Sequence, residues 1–107
     1  MTEEIEETPL QLGGNIELSG FKEVDRGAMV ILKKIIGGYV RKFSERVENL
    51  QKVSLNMKKV HEREENAIYE LHASLVDNGK NYTAEASDRN IFVAVDAIMK
   101  KLENSIQ

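Results

Sequence analysis

The stretch KVSLNMKKVHEREENAIYELHASLVDNGKNYTAEA, residues 52–86, decides the fold. In its first part Val53, Leu55 and Met57 alternate with Ser54, Asn56 and Lys58. In its second part Ala67, Tyr69, Leu71, Ala73 and Leu75 alternate with Glu70, His72 and Ser74. A period of two puts one set of side chains on a buried face and the other in water, the mark of a half-buried sheet. The charged run His61-Glu62-Arg63-Glu64-Glu65 between the two parts reads as a solvent-facing hairpin. Asp77-Asn78-Gly79 is a tight-turn signal, and it leads into a third strand, Tyr82-Thr83-Ala84-Glu85-Ala86.

Upstream of these strands, Asn15-Ile16-Glu17-Leu18-Ser19-Gly20 is a short alternating strand with a Gly stop. Asp25 is placed to cap a helix that runs to about residue 47. At about 100° per residue, Ala28, Leu32, Ile35, Ile36, Tyr39, Phe43 and Val47 fall on one arc of it, extended by Met29 and Val40. Lys33, Lys34, Arg41 and Lys42 lie on the opposite side, with Gly37 and Gly38 among them and Val30 and Ile31 breaking the polar surface. Downstream, Ser87 or Asp88 is expected to cap a second helix with Phe92, Val95, Ile98 and Leu102 as its apolar stripe. The order β-α-β-β-β-α predicts an α+β fold, a two-layer sandwich with two helices on one face of a four-stranded sheet.

Composition narrows the function classes. The chain has 107 residues, 41% hydrophobic and 31% charged, with one Pro and no Cys. One domain is expected, spanning residues 15–107. Residues 1–14 are acidic, interrupted by Pro9 and closed by Gly13-Gly14, so a disordered tail is expected there. Without cysteine there is no thiolate nucleophile and no Cys-based metal site. No apolar run approaches the roughly 20 residues that span a bilayer, and no secretory leader is read at the N-terminus, so a cytoplasmic, membrane-free protein is expected. The net charge of −3 conceals an asymmetry. Glu3, Glu4, Glu6 and Glu7 give residues 1–13 a charge of −4, whereas residues 21–60 carry ten basic residues against four acids, a net of +6. Such a basic stretch points toward a polyanion.

Three places in the sequence resemble the ribosome hibernation-promoting factors, the cold-shock ribosome-associated inhibitors of translation. Asn15-Ile16-Glu17-Leu18-Ser19-Gly20 resembles that family's opening strand. Phe43 followed by Glu45-Arg46-Val47 resembles the end of its first helix. Ala84-Glu85-Ala86 and then Ile91-Phe92-Val93-Ala94-Val95-Asp96-Ala97-Ile98-Met99-Lys100-Lys101-Leu102-Glu103 resembles its last strand and helix, and is the most specific of the three. The resemblance implies a fold similar to the double-stranded RNA-binding domain. It implies binding to ribosomal RNA of the small ribosomal subunit near the decoding centre, and inhibition of translation by blocking messenger and transfer RNA. Under it, Lys42 and Lys101 match family lysines, and Lys58 and Lys59 fall where a Lys-rich second strand ends. The chain departs from the family at Gly37-Gly38, where Lys, Leu and Glu are usual, in its acidic leader, and in lacking a basic tail after the last helix.

The candidate RNA-binding residues are therefore Lys33, Lys34, Arg41, Lys42, Lys58, Lys59, Arg89, Lys100 and Lys101. Ammonium and guanidinium groups on a rigid element neutralise phosphates and release counterions. Arg89 and Asn90 stand at the start of the second helix, where an anion is favoured, with capping by Ser87 and Asp88 as the competing account. The preferred account of Gly37-Gly38 is a kink or close packing on the sheet; the functional one is room for an RNA backbone between Lys33, Lys34 and Arg41. Asp96 is read as the ion-pair partner of Lys100. His61 and His72 lack metal-ligand spacing, no phosphate-binding Gly loop is present, and Ser and Thr lack a His-acid relay. No enzyme, cofactor or small-molecule substrate is expected. A second reading is a protein-interaction or self-associating module with weak or lost ribosome binding. It rests on the low pI, on Val30 and Ile31, and on sheet edges open to strand pairing that would admit a homodimer.

Overall fold

The computed structural model describes residues 16–63 and 66–106. The acidic leader, Asn15, and Glu64-Glu65 of the charged run lie outside the described residues. The elements are β1 (Ile16–Ser19), α1 (Arg26–Arg46), β2 (Leu50–Arg63), β3 (Asn66–Asp77), β4 (Lys80–Asp88) and α2 (Ile91–Ser105). This is the expected order, folded as an α+β two-layer sandwich.

The sheet order is β1-β2-β3-β4. β1 pairs parallel to β2, with Ile16 opposite Val53 and Leu18 opposite Leu55. Parallel neighbours need a crossover, and α1 supplies it. β2, β3 and β4 form an antiparallel meander in which Leu55, Ala73 and Ala84 stand side by side. The inward set of each strand is the alternating set of the sequence: Val53, Leu55 and Met57 on β2, and Leu71, Ala73 and Leu75 on β3, are all buried. Both helices lie on this face. α1 contributes Leu32, Ile36, Val40 and Phe43, and α2 contributes Ile91, Ala94, Val95, Ile98, Met99 and Leu102. No polar or charged residue among those described is buried, so the core is held by apolar contact alone.

Local signals explain where the elements stop. Asp25 caps α1, its Oδ2 accepting from the N–H groups of Gly27 (2.9 Å) and Ala28 (3.2 Å). Asn78 (φ 53°) and Gly79 (φ 84°) form the two-residue turn between β3 and β4, both in the left-handed region that a twisted hairpin requires. That turn is tied to the α1–β2 connection. Asn49 exchanges bonds with it, donating from its N–H to Asp77 Oδ1 (2.9 Å) and accepting at its carbonyl from Asn78 (3.0 Å). Gly79 N–H donates to Gln51 Oε1 at 2.6 Å, where the β2–β3 register shifts between Leu50 and Lys52.

Two expectations need correction. α2 is capped by Asn90, not by Ser87 or Asp88: Asn90 Oδ1 accepts from Phe92 N–H (2.8 Å) and Val93 N–H (3.2 Å). The reason is that β4 runs longer than the alternation suggested, pairing Ser87 with Glu70 and Asp88 with Tyr69. Asp88 instead accepts from Asn90 N–H at 2.8 Å and so supports the cap. Likewise β2 and β3 extend into the charged run, with His61 opposite Ala67 and Arg63 opposite Asn66.

Gly20 ends β1 at φ 82°, and a Cβ there would run into the carbonyl oxygen of Met57. Gly20→Ala combines a disfavoured backbone conformation with a backbone clash. It should lower stability by at least about 2 kcal/mol, read as a fall in the urea midpoint at unchanged m-value.

Candidate nucleic-acid interface

α1 is amphipathic, and its core arc fixes which way every other side chain points. Lys33, Gly37 and Arg41 follow one another at i, i+4 and i+8, and Lys34 and Gly38 lie beside them. With Val40 and Ser44 these residues line a shallow depression of about 530 Å³. Lys34 and Arg41 are exposed and Lys33 is half-buried. Among the described residues, none of the three cations forms an ion pair. Glu45, one turn beyond Arg41, stands outside ion-pair distance. The Ser44 hydroxyl donates to the Arg41 carbonyl at 2.8 Å. Arg26, seven residues before Lys33, falls on the same side of the helix; the i, i+7 spacing identifies it, and the sequence reading passed over it.

The other six expected residues do not join this group. Lys42 turns round the helix, with its Nζ 5.3 Å from the Tyr39 ring centroid. Lys58 pairs in register with Glu70 on the polar side of the sheet. Lys59 points to the helix side, 5.8 Å over the Tyr69 ring, beside the starts of both helices. Arg89 is exposed in the connection before α2. There the Asn90 carboxamide, in place of the Ser87 or Asp88 cap that was expected, already takes two of the free helix N–H groups. Lys100 is exposed on α2, and Lys101 Nζ donates to the Glu85 carbonyl at 2.7 Å.

Asp96 has a stronger partner than the one expected. Its Oδ1 accepts from the Tyr39 hydroxyl at 2.7 Å, whereas Lys100 stands at 4.0 Å, the outer limit of an ion pair. A tyrosine on the core side of α1 needs an acceptor for its hydroxyl, and an aspartate in an apolar helix is the available one. Arg46 and Glu103, at 3.4 Å, make the next link along the same two helices. Both links join residues 57 apart, so α1 and α2 run side by side in the same direction.

The polar side of the sheet carries Ser19, Ser54, Asn56, His72, Ser74, Thr83 and Glu85 around a second shallow depression. His72 Nδ1 lies 3.7 Å from Glu85 Oε2, with both side chains well exposed. Among the described residues no hydroxyl is hydrogen-bonded to His72, and no group of three or more His, Cys, Asp and Glu is placed to hold a metal. The close packing expected of Gly37-Gly38 is not found. α1 runs unbroken through them, and a Cβ on either meets nothing within 4 Å.

This fold, a mixed four-stranded sheet under two parallel helices, is shared with solved structures. A ribosomal subunit interface protein from Coxiella burnetii superposes with a TM-score of 0.58 at 12% identity, over 86% of this chain and 90% of that one. The N-terminal domain of Protein Y from Thermus thermophilus superposes with a TM-score of 0.52 at 13% identity, over 92% of this chain and 96% of that one. The resemblance read in the sequence thus extends to the fold. No family model and no curated protein matches the chain. No helix among the described residues is long and apolar enough to cross a membrane.

Burial pushes the Tyr39 phenol up to about 12, helped by its bond to Asp96 and by the charges of Asp96 and Glu103. An unfolded tyrosine ionises near 10, so the unfolded chain loses this proton first. The contribution is therefore complete below about pH 10 and is lost as pH rises through about 12. Absorbance titration should show one of the three tyrosines ionising late. Tyr39→Phe should abolish that late step and lower stability by about 1 kcal/mol.

Proposed function

We propose that this chain is a ribosome-associated hibernation factor. It binds the small ribosomal subunit near the decoding centre through ribosomal RNA, and it inhibits translation by occupying the space of messenger and transfer RNA. The action is steric, without catalysis or cofactor. The observation that carries this reading is the group Lys33, Lys34 and Arg41, unpaired among the described residues, on the outer face of α1. It sits on a fold shared with a ribosomal subunit interface protein. Three cations on one rigid helix suit a phosphate backbone, and Arg41 adds a planar fork that grips phosphate oxygens. Lys58, Lys59, Lys42, Arg89, Lys100 and Lys101 are separate contacts around the domain in this reading, within a binding site that wraps several faces.

One observation favours the second reading, a protein-interaction or self-associating module. Val30 (55% exposed) and Ile31 (50%) stand in water on α1, and Val93 (49%) on α2. Size exclusion at low and high salt separates the two, since an apolar self-contact gives a dimer that persists in salt.

Co-sedimentation with small ribosomal subunits across a salt series tests the main reading. Binding should fall linearly on a log–log plot and compete with transfer RNA. Lys33→Glu, Lys34→Glu and Arg41→Glu should each weaken binding and reduce the salt slope by about one unit. Each should leave stability within about 0.5 kcal/mol, as expected for surface substitutions. Full affinity in all three would refute the assignment of this face.

A further inference from the structure

Gly37 and Gly38 break a local rule without a packing return. Each glycine in a helix interior forgoes about 1 kcal/mol relative to alanine, against a whole stability of roughly 5–15 kcal/mol. Elsewhere in the chain a glycine has a visible steric reason: Gly20 has positive φ and the Met57 carbonyl against it. Gly37 and Gly38 have neither positive φ nor any neighbour within 4 Å of an added Cβ. Alanine would fit both positions and strengthen the helix. What the pair does provide is shape and charge. It removes the side chains from the middle of the depression on α1, with Lys33 one turn before Gly37 and Arg41 one turn after it. Positions where sequence departs from foldability in this way are expected at functional sites.

We propose that Gly37-Gly38 is a seat for a single sugar–phosphate strand of RNA, which crosses α1 in contact with the helix main chain. The inference deepens the proposed function and rests on α1 being the RNA-binding face. The notch is about one helical turn, or 5.4 Å, long, which admits one strand and not the paired backbones of a duplex. Cations on either side of it, about 12 Å apart along the axis from residue 33 to residue 41, reach phosphates before and after the crossing. Side chains at 37 and 38 would hold the strand off, lengthening every charge–phosphate distance at once. The two glycines are thereby affinity determinants that carry no charge and make no hydrogen bond through a side chain.

The test is the double variant Gly37→Ala/Gly38→Ala, measured against a poly-uridylate oligomer and against small ribosomal subunits. Its thermal midpoint should rise by about 5 °C or more, while its affinity for both probes falls about tenfold, or 1.4 kcal/mol. Because no charge is removed, the salt slope should stay that of the unmodified chain, in contrast to Lys34→Glu. Alanines that stabilise the domain and leave affinity unchanged would overturn the seat while leaving the RNA face intact. A destabilised double variant would overturn the premise that the glycines have no structural role. No binding of either probe by the unmodified chain at low salt would remove the RNA-binding reading itself, and the seat with it.

Discussion

The four strands present one apolar face that has to be covered, and the chain has only two helices with which to cover it. Removing Leu18, Leu55, Leu71 and Leu75 from water is the dominant favourable term in a core that buries no polar group among the described residues. That demand fixes α1 by its Leu32–Ile36–Val40–Phe43 arc and α2 by its Val95–Ile98–Leu102 stripe. Once those faces are committed, the remaining directions on each helix follow from geometry. Lys33, Lys34 and Arg41 are turned outward because Ile36 and Val40 are turned inward. The basic surface is thus a by-product of the core's placement, held on a scaffold that does not depend on it.

The helix layer needs more than apolar contact to fix its register, because such contact is not directional. Tyr39 and Asp96 supply the direction, with Arg46 and Glu103 one link further on. They are partly shielded from water, so the pairing discriminates between registers better than an exposed ion pair would. A slide of α2 by one turn would separate both pairs together.

Much of this was legible in the sequence, and the failures have physical reasons. The alternation at Val53, Leu55 and Met57 is a local signal, and it found β2. Strand ends depend on partners far along the chain, so the pairing of Asp88 with Tyr69 was hidden and the cap of α2 was placed early. Directions within one helix are set by a fixed rotation per residue, which is why Lys33, Lys34 and Arg41 line one depression, whereas Lys42, read with them, lies round the helix over the Tyr39 ring. Lys58 and Lys59 were grouped on resemblance, although consecutive strand residues face opposite ways. Lys101 and Asp96 took partners, the Glu85 carbonyl and Tyr39, that no local spacing reveals.

The two helices running side by side in one direction also give the domain a polarity. Peptide dipoles in each helix leave about half a positive charge at the N-terminus and half a negative charge at the C-terminus. Antiparallel neighbours would cancel these; here they add, to about one elementary charge of each sign at opposite ends. The field is short-ranged, fading within a turn of each terminus, so its positive end is concentrated where Asp25 and Asn90 cap the two helices and its negative end where Val47 and Ile106 close them.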